Sequence, residues 1–524
     1  MAMVQKSSKL MQARSMLHSQ TSTPQWAYRQ DYVRAFEAKQ LMRWTDGDLM
    51  KQAAAAIAAI AASRMQQLPQ GSKVLVLAGP GHNGKDALLA MNLLAQSGWD
   101  CQAIEGIDES SLDKLHGCLP ERGLVIDGWL GLGQRRPLSK ELSAAVDQIN
   151  RWRVERSNRY CLSIDIPTGL NPNAGFVWPT AIVADDCVSL LLPLRGLFTG
   201  NARNYWHRIH YAPLMAPLTD AASDSQVHPL IADASFFSKE RLAYRPANAH
   251  KGLMGDVVLI GGAKGMDGAL ILAAQACLAI GVGKCFVLPL NQAASTSAYP
   301  AQVMQLETFQ VRQFKATGPG QVLAIGCGLG KSEHARQYLA DAIESPLDLV
   351  LDADALNLLA NDPRLLKSLR ESVLVEQSAL DHAKVPRRVV LAPHPLEAAR
   401  LLGQARDDIE RDRFGAIERL VQLTGCTVIL KGAGSLVQSP HTQSFIIDRS
   451  APALAQAGSG DMLCGLVAAL LARHRLIPSQ TLAAAAAFLH ADAAARWADI
   501  EGRSAGMPFD AFLSIVSNRF AAMA

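Results

Sequence analysis

The stretch Val74-Leu-Val-Leu-Ala-Gly-Pro-Gly-His-Asn-Gly-Lys-Asp86 decides the fold of the first half of the chain. It reads as a strand, a glycine-rich turn and the start of a helix. Gly79, Gly81 and Gly84 satisfy the spacing G-x-G-x-x-G. Glycines let a backbone approach a phosphate closely, and a helix N-terminus offers free N–H groups and a partial positive charge. Alone, the motif leaves two readings open: a Rossmann-type nucleotide loop, or a tight turn without a ligand.

Two further strand ends lie downstream. Val125-Ile-Asp127 runs into Gly-Trp-Leu-Gly-Leu-Gly-Gln-Arg-Arg-Pro137, and Ser163-Ile-Asp165 runs into Ile-Pro-Thr-Gly-Leu-Asn171. In an open α/β sheet the C-terminal strand ends form the ligand crevice, so Asp86, Asp127 and Asp165 are expected to converge there. A single such Asp is usually a cap or turn former; three on strand ends favour a site. Strand-like runs at 73–77, 124–126, 161–166 and 188–192 alternate with helical patterns. The same alternation returns at 257–260, 284–288, 322–325, 349–351, 389–391 and 428–430. The fold class read from this is α/β, with two doubly wound domains.

With these pieces in view, the first block resembles the YjeF N-terminal family, the NAD(P)HX epimerases, of Rossmann-like fold. The resemblance rests on Gly79-x-Gly81-x-Asn83-Gly84-x-Asp86, on Asp127 with Gly131-x-Gly133, and on Asp165-Ile-Pro-Thr-Gly169. It implies that His82, Asn83, Gly84, Lys85, Asp86, Gly131, Gly133, Arg136 and Asp165 contact the hydrated nicotinamide nucleotide. It implies a potassium ion among oxygens of Asn83, Asp127 and Thr168, a donor set suited to a hard cation. Asp165 is the implied acid/base group. Arg136 would face phosphate with its forked donors; a solvated loop face is the alternative for Arg135 and Arg136. His82, Lys85 and Ala87 stand where the family has asparagine, glycine and glycine. Lysine and alanine are poor substitutes for a glycine at positive φ, and Lys85 would place an ammonium beside the cation. Altered ion dependence, or a degenerate binding module without epimerase activity, is the rival expectation for this domain.

The second block carries Gly326-Cys-Gly-Leu-Gly330, Asp352-Ala-Asp354, Pro393-His-Pro-Leu-Glu397, Lys431-Gly-Ala-Gly-Ser435 and Gly458-Ser-Gly-Asp461. The last is the most informative. A small-residue turn at a helix N-terminus makes an anion hole, and an adjacent aspartate can take a proton from a hydroxyl attacking a phosphoryl group. The bland reading of Asp461 is a first-turn acid favoured by the helix dipole. The Lys431 loop is not a Walker A loop, because its lysine precedes the glycines. His394 has structural and functional readings of similar weight, and Asp354 reads as a capping residue.

Together these motifs resemble the ADP/ATP-dependent NAD(P)HX dehydratases, of ribokinase-like fold, from about Arg245 onward, including His490 in Phe-Leu-His-Ala-Asp492. The resemblance implies substrate contacts at Ala269, Gly328, His394 and Asp461, with Asp461 as catalytic base. It implies adenine-nucleotide contacts at Lys431, Gly432, Ala433, Gly434, Ser435 and Gly460. ADP or ATP, Mg2+ and K+ are the implied cofactors. Repair of NADHX and NADPHX is the implied activity. A small-molecule kinase of the same superfamily is the rival for this block. A homo-oligomer is expected, since family members commonly self-associate.

Composition sets the outer bounds. A chain of 524 residues, 49% hydrophobic and 19% charged, calls for at least two globular domains. The charge is 51 − 47 = +4, and Lys6, Lys9, Arg14 and Arg29 account for all of it. The remainder is neutral and lacks the basic character that nucleic-acid binding requires, so no nucleic-acid partner is expected. The apolar run Ala53–Ala62 is too short to span a bilayer and suits a buried helix, so no membrane partner is expected. Nine scattered cysteines without a CxxC pair suggest free thiols in a reducing compartment. A cytoplasmic location is expected; a mitochondrial one is the alternative if the basic N-terminus is a transit peptide. The expected layout is a disordered tail at 1–28, the epimerase-like domain at 29–218, a linker and approach at 219–244, and the dehydratase-like domain at 245–524.

Overall fold

The computed structural model describes residues 25–44, 46–214, 228–291, 299–308, 320–378 and 386–523. The chain divides into two compact units, Met1–Leu230 and Ile231–Ala524.

The first unit is built on six strands. They are β1 (Lys73–Ala78), β2 (Asp100–Glu105), β3 (Gly123–Gly128), β4 (Arg159–Ile164), β5 (Ala184–Leu190) and β6 (Trp206–Ala212), in the order β2-β1-β3-β4-β5-β6. Every pairing is parallel. Parallel strands are covered on both faces, so their sequences are continuous apolar runs. Leu75, Val76 and Leu77 of β1 and Leu124, Val125 and Ile126 of β3 are all buried. The helix Asp46–Met65 buries Ala53, Ala54, Ile57 and Ala58. Strands β2 and β6 escape the sequence reading because they are sheet edges: Asp100, Gln102 and Glu105, and then His207 and Arg208, break the apolar run.

The order reverses between β1 and β3, which opens a crevice beyond their C-terminal ends. Gly79 can only be glycine there, since a Cβ would lie 1.8 Å from the Trp129 carbonyl oxygen.

The second unit carries a ten-stranded sheet. In chain order its strands are β7 (Leu230–Ala232), β8 (Asp256–Gly261), β9 (Lys284–Pro289), β10 (Val303–Gln305), β11 (Gln321–Ile325), β12 (Asp348–Leu351), β13 (Val389–Leu391), β14 (Thr427–Leu430), β15 (Leu436–Gln438) and β16 (Phe445–Ile447). The spatial order is β10-β9-β8-β11-β12-β13-β14-β15-β16-β7. Strands β8 to β14 pair in parallel, whereas β15 runs antiparallel to both β14 and β16. Here the order reverses between β8 and β11. The helix Ser459–Arg473 is buried nearly throughout, and the helix Ser479–Glu501 is buried over most of 482–494, which explains their alanine and leucine content.

Two boundaries differ from the sequence expectation. Residues 1–24 lie outside the described residues, but Ala27 and Tyr28 are buried, and the Tyr28 amide donates to the Pro193 carbonyl. Of the expected linker, 219–227 lies outside the described residues. The rest is folded, with β7 and buried Ile231, Ala232, Phe237 and Leu242. All nine cysteines are free thiols, and no helix among the described residues is long and apolar enough to cross a membrane.

Candidate functional site

The crevice of the first unit is a cavity of about 540 Å³, a volume suited to a small molecule. Gly81, His82, Asn83 and Asp86 reach it from the turn after β1, Leu130, Gly131 and Gly133 from the loop after β3, and Asp165 from the end of β4. Asp165 sits at φ 61°, a left-handed conformation that is strained for a non-glycine residue. Its carboxyl accepts from the Leu190 amide at 3.3 Å. Burial, and then the neighbouring charge of Asp86, push its pKa up to about 8. The group therefore carries a proton near neutral pH and can exchange it.

Asp127 is fully buried behind the cavity. One oxygen accepts from the Ser163 hydroxyl at 2.8 Å and the Thr168 amide at 2.9 Å. The other accepts from the Thr168 hydroxyl at 2.7 Å and the Trp129 amide at 3.4 Å. The Leu130 amide donates to the same Thr168 hydroxyl at 3.1 Å. Asn83 donates through Nδ2 to the Ile164 carbonyl at 3.1 Å and packs so tightly on Gly131 that a Cβ there would lie 2.0 Å from it. Asn83, Asp127 and Thr168 thus meet around one loop. None of the four donors to Asp127 is charged, and burial raises its pKa.

In the second unit the corresponding strand ends build a second centre. Gly328, at φ 59°, lies against Met266 and Ala269 where the strand order reverses. Lys431, just past β14, donates through Nζ to Asp352 Oδ1 at 2.7 Å and lies 3.9 Å from Glu397. Burial opposes its charge, but Asp352 and Glu397 outweigh burial and hold the ammonium above its usual range. A Cβ on Gly460 would sit 3.7 Å from the same Nζ. The lysine therefore faces the N-terminus of the helix that carries Asp461. Burial raises the Asp461 pKa.

His394 Nδ1 accepts from the Leu396 and Glu397 amides at 3.1 and 3.3 Å, and Glu397 accepts from the His394 amide at 2.8 Å. This is a capping box with histidine at the cap. Desolvation, then Lys431, lower the His394 pKa to about 4, so the ring is neutral and bears its proton on Nε2. Burial raises Glu397 to about 7. The loop after Lys431 is closed by Ser435, whose hydroxyl accepts from the Gly432 amide and donates to its carbonyl. Behind it, buried Arg413 donates to the Leu430 and Lys431 carbonyls.

A family model described as YjeF-related protein N-terminus matches residues 46–116 and 101–196, and one described as NAD(P)H-hydrate dehydratase matches 257–517. A bifunctional NAD(P)H-hydrate repair enzyme of Coxiella burnetii is 30% identical over 473 residues, covering 85% of this chain and 89% of that protein. Its Leishmania braziliensis counterpart is 34% identical, covering 83% and 78%.

The chain belongs to the bifunctional NAD(P)H-hydrate repair enzymes.

Its first unit holds the epimerase-type domain of that family and its second unit the dehydratase domain. A solved ADP/ATP-dependent NAD(P)H-hydrate dehydratase from Bacillus subtilis, crystallised with ATP and magnesium, is 21% identical, with a TM-score of 0.46; it covers 56% of this chain and 99% of that chain.

For this repair-enzyme chain the structure corrects four residue-level expectations. Lys85 and Ala87 lie inside the helix His82–Gln96 and need no positive φ. Lys85 is exposed, so its ammonium is not turned inward, while the Ala87 methyl fits because Gly128 lies beside it. Arg136 is exposed and outside the cavity; Arg34 is the arginine that lines it, held by the Leu132 carbonyl. Asp354 does not cap its own helix but accepts from the Gly330 amide at 2.9 Å. Arg34, Glu37 and Met50 of the cavity come from helices before β1, and no motif announced them.

Proposed function

We propose that Asp461 is the base of dehydration. It takes the proton of the ring hydroxyl of S-NAD(P)HX while that oxygen attacks the terminal phosphoryl group of ADP or ATP. The phosphorylated oxygen then leaves as phosphate, expelled by the ring-nitrogen lone pair, and loss of a ring proton restores NAD(P)H. The observation that carries this reading is Lys431, paired with Asp352 and facing Gly460. It sets a fixed positive charge where a phosphoryl group meets the helix N-terminus. Ala269, Gly328 and the Nε2–H of neutral His394 bound the hydrated ring. The loop Lys431–Ser435 and Gly460 hold the nucleotide. Magnesium fits at Asp352, whose Oδ2 is buried without a hydrogen-bond partner among the described residues; when bound it neutralises charge on the phosphates. Asp461→Ala in the full-length chain is expected to lower NADH recovery from S-NADHX by at least about a hundredfold. Undiminished recovery would overturn the assignment.

In the first domain, Asp165 gives a proton to the hydroxyl of R-NAD(P)HX as its bond to the ring breaks. It takes a proton back when water adds to the opposite face. The protonated state of Asp165 at neutral pH supports this, and the retained activity is favoured over a degenerate module because Lys85 and Ala87 leave the loop geometry intact. His82, Asn83, Gly84, Asp86, Gly131 and Gly133 shape the pocket. Potassium fits at Asn83, Asp127 and Thr168: among the described residues the hydrogen-bond donors to buried Asp127 are uncharged, and a held cation would offset the cost of ionising it there. The protein is read as cytoplasmic and self-associating.

A further inference from the structure

His490 lies on the helix Ser479–Glu501 and takes no direct part in the chemistry above. Its Nε2 lies 2.8 Å from the Ser459 carbonyl oxygen. That carbonyl can only accept, so Nε2 carries the hydrogen. Burial lowers the ring's pKa to about 4, so the donor is a neutral imidazole. Phe512 packs edge-on against the ring, with centroids 5.6 Å apart.

The bond matters because of what shares its peptide plane. The Ser459 carbonyl and the Gly460 N–H belong to one rigid trans peptide and point in opposite directions. Ser459 is the first residue of its helix, so the Gly460 N–H has no acceptor within that helix. Among the described residues no other backbone acceptor meets it. Drawing the carbonyl toward His490 therefore leaves this N–H aimed out of the helix N-terminus, at the turn beside which Lys431 Nζ also lies. The turn is held from other sides as well. The Ser459 hydroxyl donates to the Leu454 carbonyl at 2.8 Å. Gly458 is so close to Leu272 and Phe509 that a Cβ would lie 2.4 Å from the former.

We propose that His490 is a positioning residue of the dehydratase site: it orients the Ser459–Gly460 peptide so that the Gly460 N–H meets the phosphoryl group in flight. This rests on the reading of Asp461 and its turn as the dehydration centre. A donor that acts on transferred charge contributes to kcat more than to substrate binding.

The test compares His490→Phe, which keeps a ring and loses the donor, with His490→Gln, which restores an N–H near the Nε2 position. Both are made in the full-length chain and assayed with S-NADHX and ATP. The Phe variant is expected to lose about 10- to 100-fold in kcat with KM changed less than about twofold, and the Gln variant to stay within about threefold of wild type. Thermal unfolding of each variant shows that it is folded. Wild-type kcat in His490→Phe, or equal losses in both variants, would overturn the proposal. Asp461→Asn is run beside them. If it alone is inactive while His490→Phe is normal, only the positioning role fails; if it is fully active, the reading of the base fails.

Discussion

The two domains place carboxylates at the same kind of address, just past the C-terminal ends of parallel strands, and treat them oppositely. In the first, burial and then the neighbouring charge of Asp86 push the Asp165 pKa up to about 8. In the second, Asp352 accepts from the Lys431 ammonium at 2.7 Å, and Asp352 and Glu397 hold that ammonium above its usual range against burial. A shared architecture thus supports one site that stores a proton and another that stores a fixed ion pair. The first suits breaking and re-forming a bond at one carbon, where one proton is given to the leaving hydroxyl and another is recovered from the water that adds. The second suits phosphoryl transfer, where charge moves and must be met by charge. The contrast comes from what each buried carboxylate faces, Asp86 in one domain and Lys431 in the other, and single substitutions can break it.

The largest effect is expected at Asp165. Asp165→Asn should slow conversion of R- to S-NADHX by about 10²- to 10⁴-fold and leave dehydration of S-NADHX unchanged, followed by coupled NADH recovery. The same variant checks the stored proton. The folded pKa of Asp165 lies above the ordinary carboxylate value of 3.8, so its stabilising contribution is complete below that value and is lost as pH rises through about 8. Asp165→Asn should therefore melt higher than wild type at alkaline pH and close to it near pH 4. A constant difference across that range would contradict the shift.

Removing the cation from the second site comes next. Lys431→Met leaves Asp352 buried without its partner, and should cost about 3–5 kcal/mol of unfolding free energy in that domain, seen in urea titration, along with most of the dehydratase rate. Epimerisation should persist. Potassium is a gentler probe: exchanging it for lithium should lower the melting temperature of the first domain by a few degrees in wild type but not in Asp127→Asn, which has no charge to offset. The smallest effect is expected at Lys85→Gly. An exposed first-turn lysine in a helix tolerates the change at a cost of about 1 kcal/mol, with the epimerisation rate within a few-fold. A large gain in rate would show that Lys85 obstructs the site after all.

Much of this architecture was legible in the chain. Buried parallel strands must be apolar throughout, so Val74–Leu77 and Val257–Ile260 announce themselves. Edge strands are only half covered and carry polar residues, so β2 and β6 do not; β15 and β16 are interior and largely apolar but only three residues long, too short to show a strand period. The glycine turns and the carboxylates beyond the strands were legible too, because close backbone approach and strand-end placement are local properties. The membership of each pocket was not. Arg34 and Glu37 reach the first cavity from a helix that precedes every motif, and Arg136, adjacent to one, stays outside.

The sequence by itself determined two doubly wound domains, their order, and the turns at their strand ends, since each follows from periodicity and from residues that only local geometry selects. Only the tertiary structure decided which charges face each other. That Asp165 meets Asp86 rather than a cation, that Lys431 meets Asp352, and that His490 reaches Ser459 are contacts between segments far apart in the chain. Electrostatic effects depend on distance and burial, and no local pattern encodes either.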